Sequence, residues 1–456
     1  MKKIIICLLV GILIGGAVIY LVMHKSPTPK IEPAVKNSFS EVTSKLDQGG
    51  NLYLYYSTER VVKSIEEFAG KLRKIIELQV FKSNMENNDA LKIFDFVFKM
   101  FKNSGLTEIS GIGISSIKIE KNLNNSKIIV HHYKKNGNGL IWRIMEEKPQ
   151  ELKELKLLPA DTVMAGFINL RLNYLWNWIK TEIENSDLQN VKKSINSVEP
   201  ALQKQGIDLK KLLDSLKGKI GCILTFDREK KLSIPIGKTP INIPEPGIAI
   251  VFSVKDDTIF NFIKTKLHLE QKSGKKGIKK LIIPVPPIPI PVKPEIVQKD
   301  DILILASHSK VVDAMLSANE KGNGLTSTEE FKKIATNIPN KGNGFRFVSP
   351  RLFQLIWKIQ QKAIDTYKNV KTEDKIAFNF FKSFQKNWYF YGVLQNTEEG
   401  TIFTFNHNSN IEYIVILPAI ASAGIIAAIA IPNILKSAHK SKQKLYDKST
   451  IPDLVL

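Results

Sequence analysis

The chain has 456 residues, 43% hydrophobic and 24% charged, which suits two or three domains and excludes wholesale disorder. Its formal net charge is +22, yet arginine supplies only seven of the 66 basic residues. Lysine is a solvated point charge without the two-pronged grip of arginine, which argues against a nucleic-acid reader. The excess reads as a lysine-coated surface, with attraction to anionic lipid or polymer as its functional variant.

The first element is apolar. Lys2 and Lys3 precede Ile4 to Met23, 20 residues without a charge, enough to cross a hydrocarbon core of about 30 Å as a helix. The exit "YLVMHKSP" has no A-x-A-like cleavage pattern, and Cys7 lies too early for a lipobox. The expectation is an uncleaved anchor over residues 1–25, with a cleaved signal as the alternative. Gly11 and Gly15 form a G-x-x-x-G that lets membrane helices approach closely. Residues 26–50, with "KSPTPKIEPAVKNS", read as a linker. Cys222 is the only cysteine outside the apolar stretch, so no disulfide framework or thiolate metal site can be built.

A unit then recurs: a short apolar strand, a polar turn and an amphipathic helix. "NLYLYYSTERVVKSIEEFAGKL" is the first, with Ser57 or Thr58 placed to cap its helix. "TVMAGFINLRLNYLWNWIKTEI", "GIAIVFSVKDDTIFNFIKTKL" and "NGFRFVSPRLFQLIWKIQQKAI" repeat the plan, the last with Pro350 in the first helical turn. Further strands are expected at Ile112–Ile119, Lys127–Tyr133, Ile220–Phe226, Ile302–Ala306, Trp388–Leu394 and Thr401–Asn406. Helices are expected at Ala90–Lys102, Ile207–Leu216, Val311–Ser317 and Phe331–Thr336. The fold class is α+β, duplicated strand–helix modules with antiparallel sheets, flanked by N- and C-terminal transmembrane helices. Residues 51–150 form the first module and 151–410 the duplicated region, with the polar bridge Glu146 to Asp161 at the boundary.

Residues 281–296, "LIIPVPPIPIPVKPEI", form a proline ribbon, which suits an edge strand or polyproline II. Its two readings are a docking arm for a partner and a hairpin covering the protein's own sheet. "SIPIGKTPINIPEP" has a similar character and is expected beside it.

Catalytic patterns are missing. None of the seven histidines has metal-like spacing with carboxylates, and the His131-His132 pair points to opposite faces of a strand. "SGIGISS" contains no nucleophile elbow. Three "GNG" sites, at 137–139, 322–324 and 342–344, read as hairpin turns rather than phosphate loops. "YLWNW" and "NWYFYG" read as core rather than ligand platforms. No enzyme, cofactor or metal is expected.

The chain closes with residues 411–435, a second transmembrane helix in which Ile414 to Leu435 carries no charge. Ala419, Ala423 and Ala427 repeat every four residues as a packing face. Residues 436–456 form a basic tail, with Lys436, Lys440, Lys442 and Lys444 flanking the span. Positive flanks stay in the cytoplasm, so both termini are expected inside and the bulk of the chain outside the cell membrane.

"GIIAAIAIPNILKSAHKSKQ" resembles the N-terminal helix of type IV pilins and type II secretion pseudopilins, with Gly424 and Ala427 to Asn433 matching in order. It lacks the Gly-Phe cleavage junction, and Glu412 lies 12 residues before Gly424 instead of nine. Separately, "LLPADTVMAGFINL" and "DILILASHSKVVDAML" with "TSTEEFKKIATNIPNKGNGFRFVSPRL" resemble an uncharacterised family of bacterial envelope proteins. That resemblance implies duplicated α+β modules and an N-terminal anchor, but no activity.

The expected function is a membrane-anchored extracytoplasmic binding or scaffold protein. Its alternatives are an accessory component of a type IV pilus or type II secretion-like machine, and an envelope-polymer enzyme without a recognisable motif. Expected partners are membrane lipid and other envelope or pilin-like membrane proteins, not nucleic acid; oligomeric state stays open.

Overall fold

The computed structural model describes residues 37–82, 89–146, 148–234, 240–273, 277–285, 293–366 and 388–408. The expected spans, with Gly11, Gly15, Ala419, Ala423, Ala427 and Lys436, Lys440, Lys442 and Lys444, lie outside these residues. Among the described residues, no helix is long and apolar enough to cross a membrane.

The chain divides into two compact units, Lys36–Val62 with Lys99–Ser409, and a second that includes Lys63–Phe98. In the second unit, the described residues belong to helices α2 (Glu59–Lys82) and α3 (Asp89–Asn103). Within it Arg73 pairs with Asp95 at 2.7 Å and with Glu77 at 3.6 Å, and Phe94 stacks on Phe98.

Among the described residues, the first unit is organised by one antiparallel sheet of 13 strands. Strand β1 (Leu52–Ser57) precedes α2 and α3, and the hairpin β2 (Gly111–Glu120) and β3 (Leu123–His131) returns beside it. Next, past the short helix α4 (Leu140–Arg143), β5 (Thr162–Asn169) leads through helices α5 (Leu172–Glu184), α6 (Gln189–Asn196), α7 (Val198–Lys204) and α8 (Leu209–Asp214) to the hairpin β6 (Leu216–Ile234) and β7 (Ile241–Val254). The same order recurs when β13 (Gly344–Val348) passes through α12 (Pro350–Thr366) to the hairpin β14 (Phe390–Thr397) and β15 (Gly400–His407). The third expected unit, β7 followed by α9 (Thr258–Lys266), continues through β8 (Gln271–Ser273), β9 (Lys279–Ile282), β10 (Glu295–Lys299) and β11 (Ile302–Ala306). Its last strand, β11, folds back onto β7. The sheet order is therefore β1-β2-β3-β15-β14-β13-β5-β6-β7-β11-β10-β9-β8.

Side chains alternate between faces along a strand, so the register fixes what shares a face. Phe347, Ala165, Ile223, Ala249 and Ala306 sit opposite one another across five strands. They enter the largest core with Val311, Val312 and Met315 of α10 (Ser309–Lys321) and Phe331 and Ile334 of α11 (Glu329–Ile334). On the same face, α1 (Phe39–Thr43) and the turn after it lay Val42 and Leu46 over Ile129. Gly113 leaves the room, since a Cβ there would meet Val42 Cγ1 at 2.4 Å. On the opposite face, α9 places Phe260, Ile259 and Ile263 against Val254, Leu281, Ile296 and Leu303.

Several expectations change. Glu146 to Asp161 is not a plain polar bridge: Leu152, Leu157 and Leu158 are buried in the largest core. Strands from both sides of that segment join one sheet, because β15 pairs with β3. Thr58 does not cap α2; its hydroxyl donates to the Ile109 carbonyl at 2.5 Å. The two ends of the proline ribbon are the close of β9 and the start of β10, where Leu281 pairs with Ile296 and Ile282 with Glu295. Residues 286–292 lie outside the described set. Among the described residues, "SIPIGKTPINIPEP" pairs within its own β6–β7 hairpin, Ile234 opposite Ile241, and not with the ribbon.

The "GNG" sites are not hairpin turns. Gly137 and Gly139 donate their amides to the Glu108 carboxylate at 3.0 and 3.3 Å. Gly322 ends α10 in the left-handed conformation. Asn343 is buried, donating to the Glu146 carbonyl and accepting from the Asn396 amide, each at 2.6 Å.

Candidate anion-binding cleft

At one end of the central strands the chain leaves the sheet several times, and these exits surround a cleft of about 1460 Å³. One wall is the exit of β5, Asn169 to Asn173, where α5 begins. A second is the start of β6, where a bulge between Leu216 and Ile220 interrupts pairing with β7. Bulges re-aim side chains, and here Lys217 and Lys219 flank Gly218. Gly218 has φ +102°, and a Cβ on it would lie 2.6 Å from Asn169 Oδ1. Only glycine fits. The remaining walls are the Leu152–Lys156 stretch, the short strands β4 (Gln150–Glu151) and β12 (Lys341–Gly342), and the ends Lys255 and Asp301.

Charge distinguishes the cleft. It is lined by Lys148, Lys153, Lys156, Arg171, Lys217, Lys219, Lys255 and Lys341, against Glu146, Glu151, Glu154 and Asp301. Two carboxylates are already engaged: Glu154 with Lys219 at 2.7 Å and Asp301 with Lys217 at 2.9 Å. Glu154 and Lys219 are half-buried, so that pair braces the floor of the cleft. Glu146 accepts from Gln150. Lys148, Lys153, Lys156, Lys255 and Lys341 form no ion pair among the described residues. Unpaired cations facing one concavity raise its potential and attract anions.

The start of α5 adds to this field. Arg171 occupies the cap position without a side-chain capping bond, and its guanidinium lies 4.9 Å from the Tyr174 ring centre. A helix N-terminus carries partial positive charge from its free amides. Beside it, the buried Asn169 Oδ1 has no hydrogen-bond donor among the described residues.

No group of three or more His, Cys, Asp or Glu residues is placed to hold a metal among the described residues. His131 and His132 make separate contacts: His131 Nδ1 lies 2.7 Å from Ser110 Oγ, and the His132 ring packs 4.5 Å from Trp142. Burial, and then the Lys45 charge, hold His131 below the ordinary histidine pKa. The cleft went unseen in the sequence because its cations come from five separated segments. The single local signal was the lysine-rich "KPQELKELK" stretch, which composition alone assigns to a polar bridge at a domain boundary. No protein-family model matches the chain, and neither a curated protein nor a solved structure matches it.

Proposed function

We propose that the chain is a membrane-anchored extracytoplasmic binding protein whose basic cleft receives an extended anionic ligand, such as an acidic envelope polymer. The observation that carries this reading is the row of lysines without ion-pair partners around one large concavity. A lysine coat spread evenly would leave no such concentration. The anchor and the cytoplasmic termini rest on the uncharged stretches Ile4–Met23 and Ile414–Leu435 and their lysine flanks. The recurring strand–helix–hairpin order supports an origin by duplication, in keeping with the envelope-family resemblance.

The ligand is bound by charge and shape rather than transformed. Length of the ligand tests this. Poly-L-glutamate should bind the full chain with affinity that falls as salt rises, while free glutamate and neutral dextran bind negligibly. Equal binding of dextran and polyglutamate would remove the proposal. Cysteines placed at Ser26, Asn408 and Ser441 test the topology: labelling from outside at the first two and protection at the third are expected. External labelling of the third would overturn the two-span arrangement.

A further inference from the structure

The sheet face opposite the largest core has a second concavity. It holds about 450 Å³, within the range of small-molecule sites, and crosses strands β3, β15, β14, β13 and β5. Ile128, Val130, Leu394, Phe403 and Ile168 line it, and among the described residues no carboxylate does and the one charged side chain in the lining is Arg346.

Arg346 is exposed and makes no hydrogen bond or ion pair among the described residues. Its cross-strand neighbours are glycines on both sides, Gly392 on β14 and Gly166 on β5. A Cβ on Gly166 would find nothing nearer than Arg346 Cγ at 3.7 Å, so that position is an open floor. Glycine inside a strand gives up side-chain packing, and it often marks a place where a ligand approaches the backbone. The apolar surface continues past the groove on the same face: Met164, Ile248 and Ile250 are all exposed.

We propose that this groove holds a long-chain carboxylate, a single-chain anionic amphiphile, with its headgroup on Arg346 and its acyl chain along the apolar floor. Charge complementarity selects the occupant. A purely apolar segment would bury an unpaired guanidinium, whereas a carboxylate pairs with it through two parallel hydrogen bonds. From Arg346 on β13 the groove runs three strand spacings to β3, about 14 Å, which takes most of a long acyl chain. The site is separate from the basic cleft, and its test does not depend on the cleft.

The test uses the full chain in lipid nanodiscs and hexadecanoate carrying a photoreactive diazirine. Adducts should map to residues 344–348 and 164–168, and unlabelled hexadecanoate should compete while hexadecanol does not. Arg346→Gln should lower labelling roughly tenfold, the loss of about 1.4 kcal/mol. Gly166→Val, which fills the floor, should abolish it, and a melting curve matching wild type establishes that each variant is folded. Should Arg346→Gln fail to fold, Arg346→Lys keeps the charge and should retain most of the labelling. Adducts mapping elsewhere, or labelling unchanged in both Arg346→Gln and Gly166→Val, would overturn the proposal. Competition by phosphatidylglycerol as strong as by hexadecanoate would overturn the single-chain carboxylate in favour of a phospholipid.

Discussion

The two faces of the central strands are made by the same residues in alternation, yet they meet different surroundings. On β13, Phe345 and Phe347 point into the core, and Arg346 between them is exposed. On β7, Ala249 and Val251 are buried while Ile248 is 48% exposed. Strands facing water on one side usually put polar residues there. Here the open face keeps Met164, Ile248 and Ile250, so it departs from the usual pattern in composition as well as in cover. The lesson is that burial in this fold is decided by where helices lie, α10 and α11 over one face and α9 over part of the other, and not by the polarity of the strand.

That contrast can be broken by substitution. Phe347→Ala, in a fully buried position beside Phe331, should cost about 3–5 kcal/mol in denaturant unfolding, while Ile248→Thr costs under about 1 kcal/mol. Similar costs at both positions would mean that the open face is covered in solution. A smaller effect sharpens the covered side. Asn406 accepts from Asn125 at 2.7 Å and donates to the Ile334 and Thr336 carbonyls, tying β15 to β3 and to the end of α11. Asn406→Leu strands those groups and should cost about 2 kcal/mol. A neutral result would show that the tie contributes nothing.

Two titrations are gentler still. His131 is buried beside Ser110, and its folded pKa lies below the ordinary 6.5. The unfolded chain therefore takes up the proton first, and the stability present above pH 6.5 declines as pH falls below it. His131→Gln should flatten the stability profile below that pH, and an unchanged slope would assign the titration elsewhere. Glu399 sits lower than the usual 4.5, chiefly through the hydrogen bond that Lys45 Nζ donates at 2.6 Å. Its stabilisation is present above pH 4.5 and is lost as pH falls through the lower folded value. Because both side chains keep part of their exposure, Glu399→Gln should cost about 0.5 kcal/mol at neutral pH and nothing in strong acid.

Periodicity made the elements legible. Ile302–Ala306 is expected as a strand and is one with the same bounds, and three of the four strand–helix units begin within one residue of their expected start, while β7 begins at Ile241, six residues before Gly247. Local pattern carries that information, because a strand and the helix after it are contiguous in the chain. Pairing is not local. Nothing in the text near Lys127 or Thr404 announces that these residues face each other across β3 and β15. The same reason hid both candidate sites: Lys153, Arg171, Lys217, Lys255 and Lys341 converge only after the sheet is assembled. Arg346 became notable only once the register placed Gly166 and Gly392 on either side of it.

The central claim is that location, not total charge, makes the cleft a binding site. Two variants of equal charge test it most directly. One converts Lys153, Lys156, Arg171 and Lys255 in the cleft to glutamine, and the other converts the exposed Lys63, Lys71, Lys118 and Lys121, which do not line it. Polyglutamate affinity of the full chain at fixed salt should fall roughly a hundredfold in the first, on the order of 2.7 kcal/mol, and less than about threefold in the second. Equal losses in the two variants would contradict the claim and return the +22 charge to a diffuse surface property.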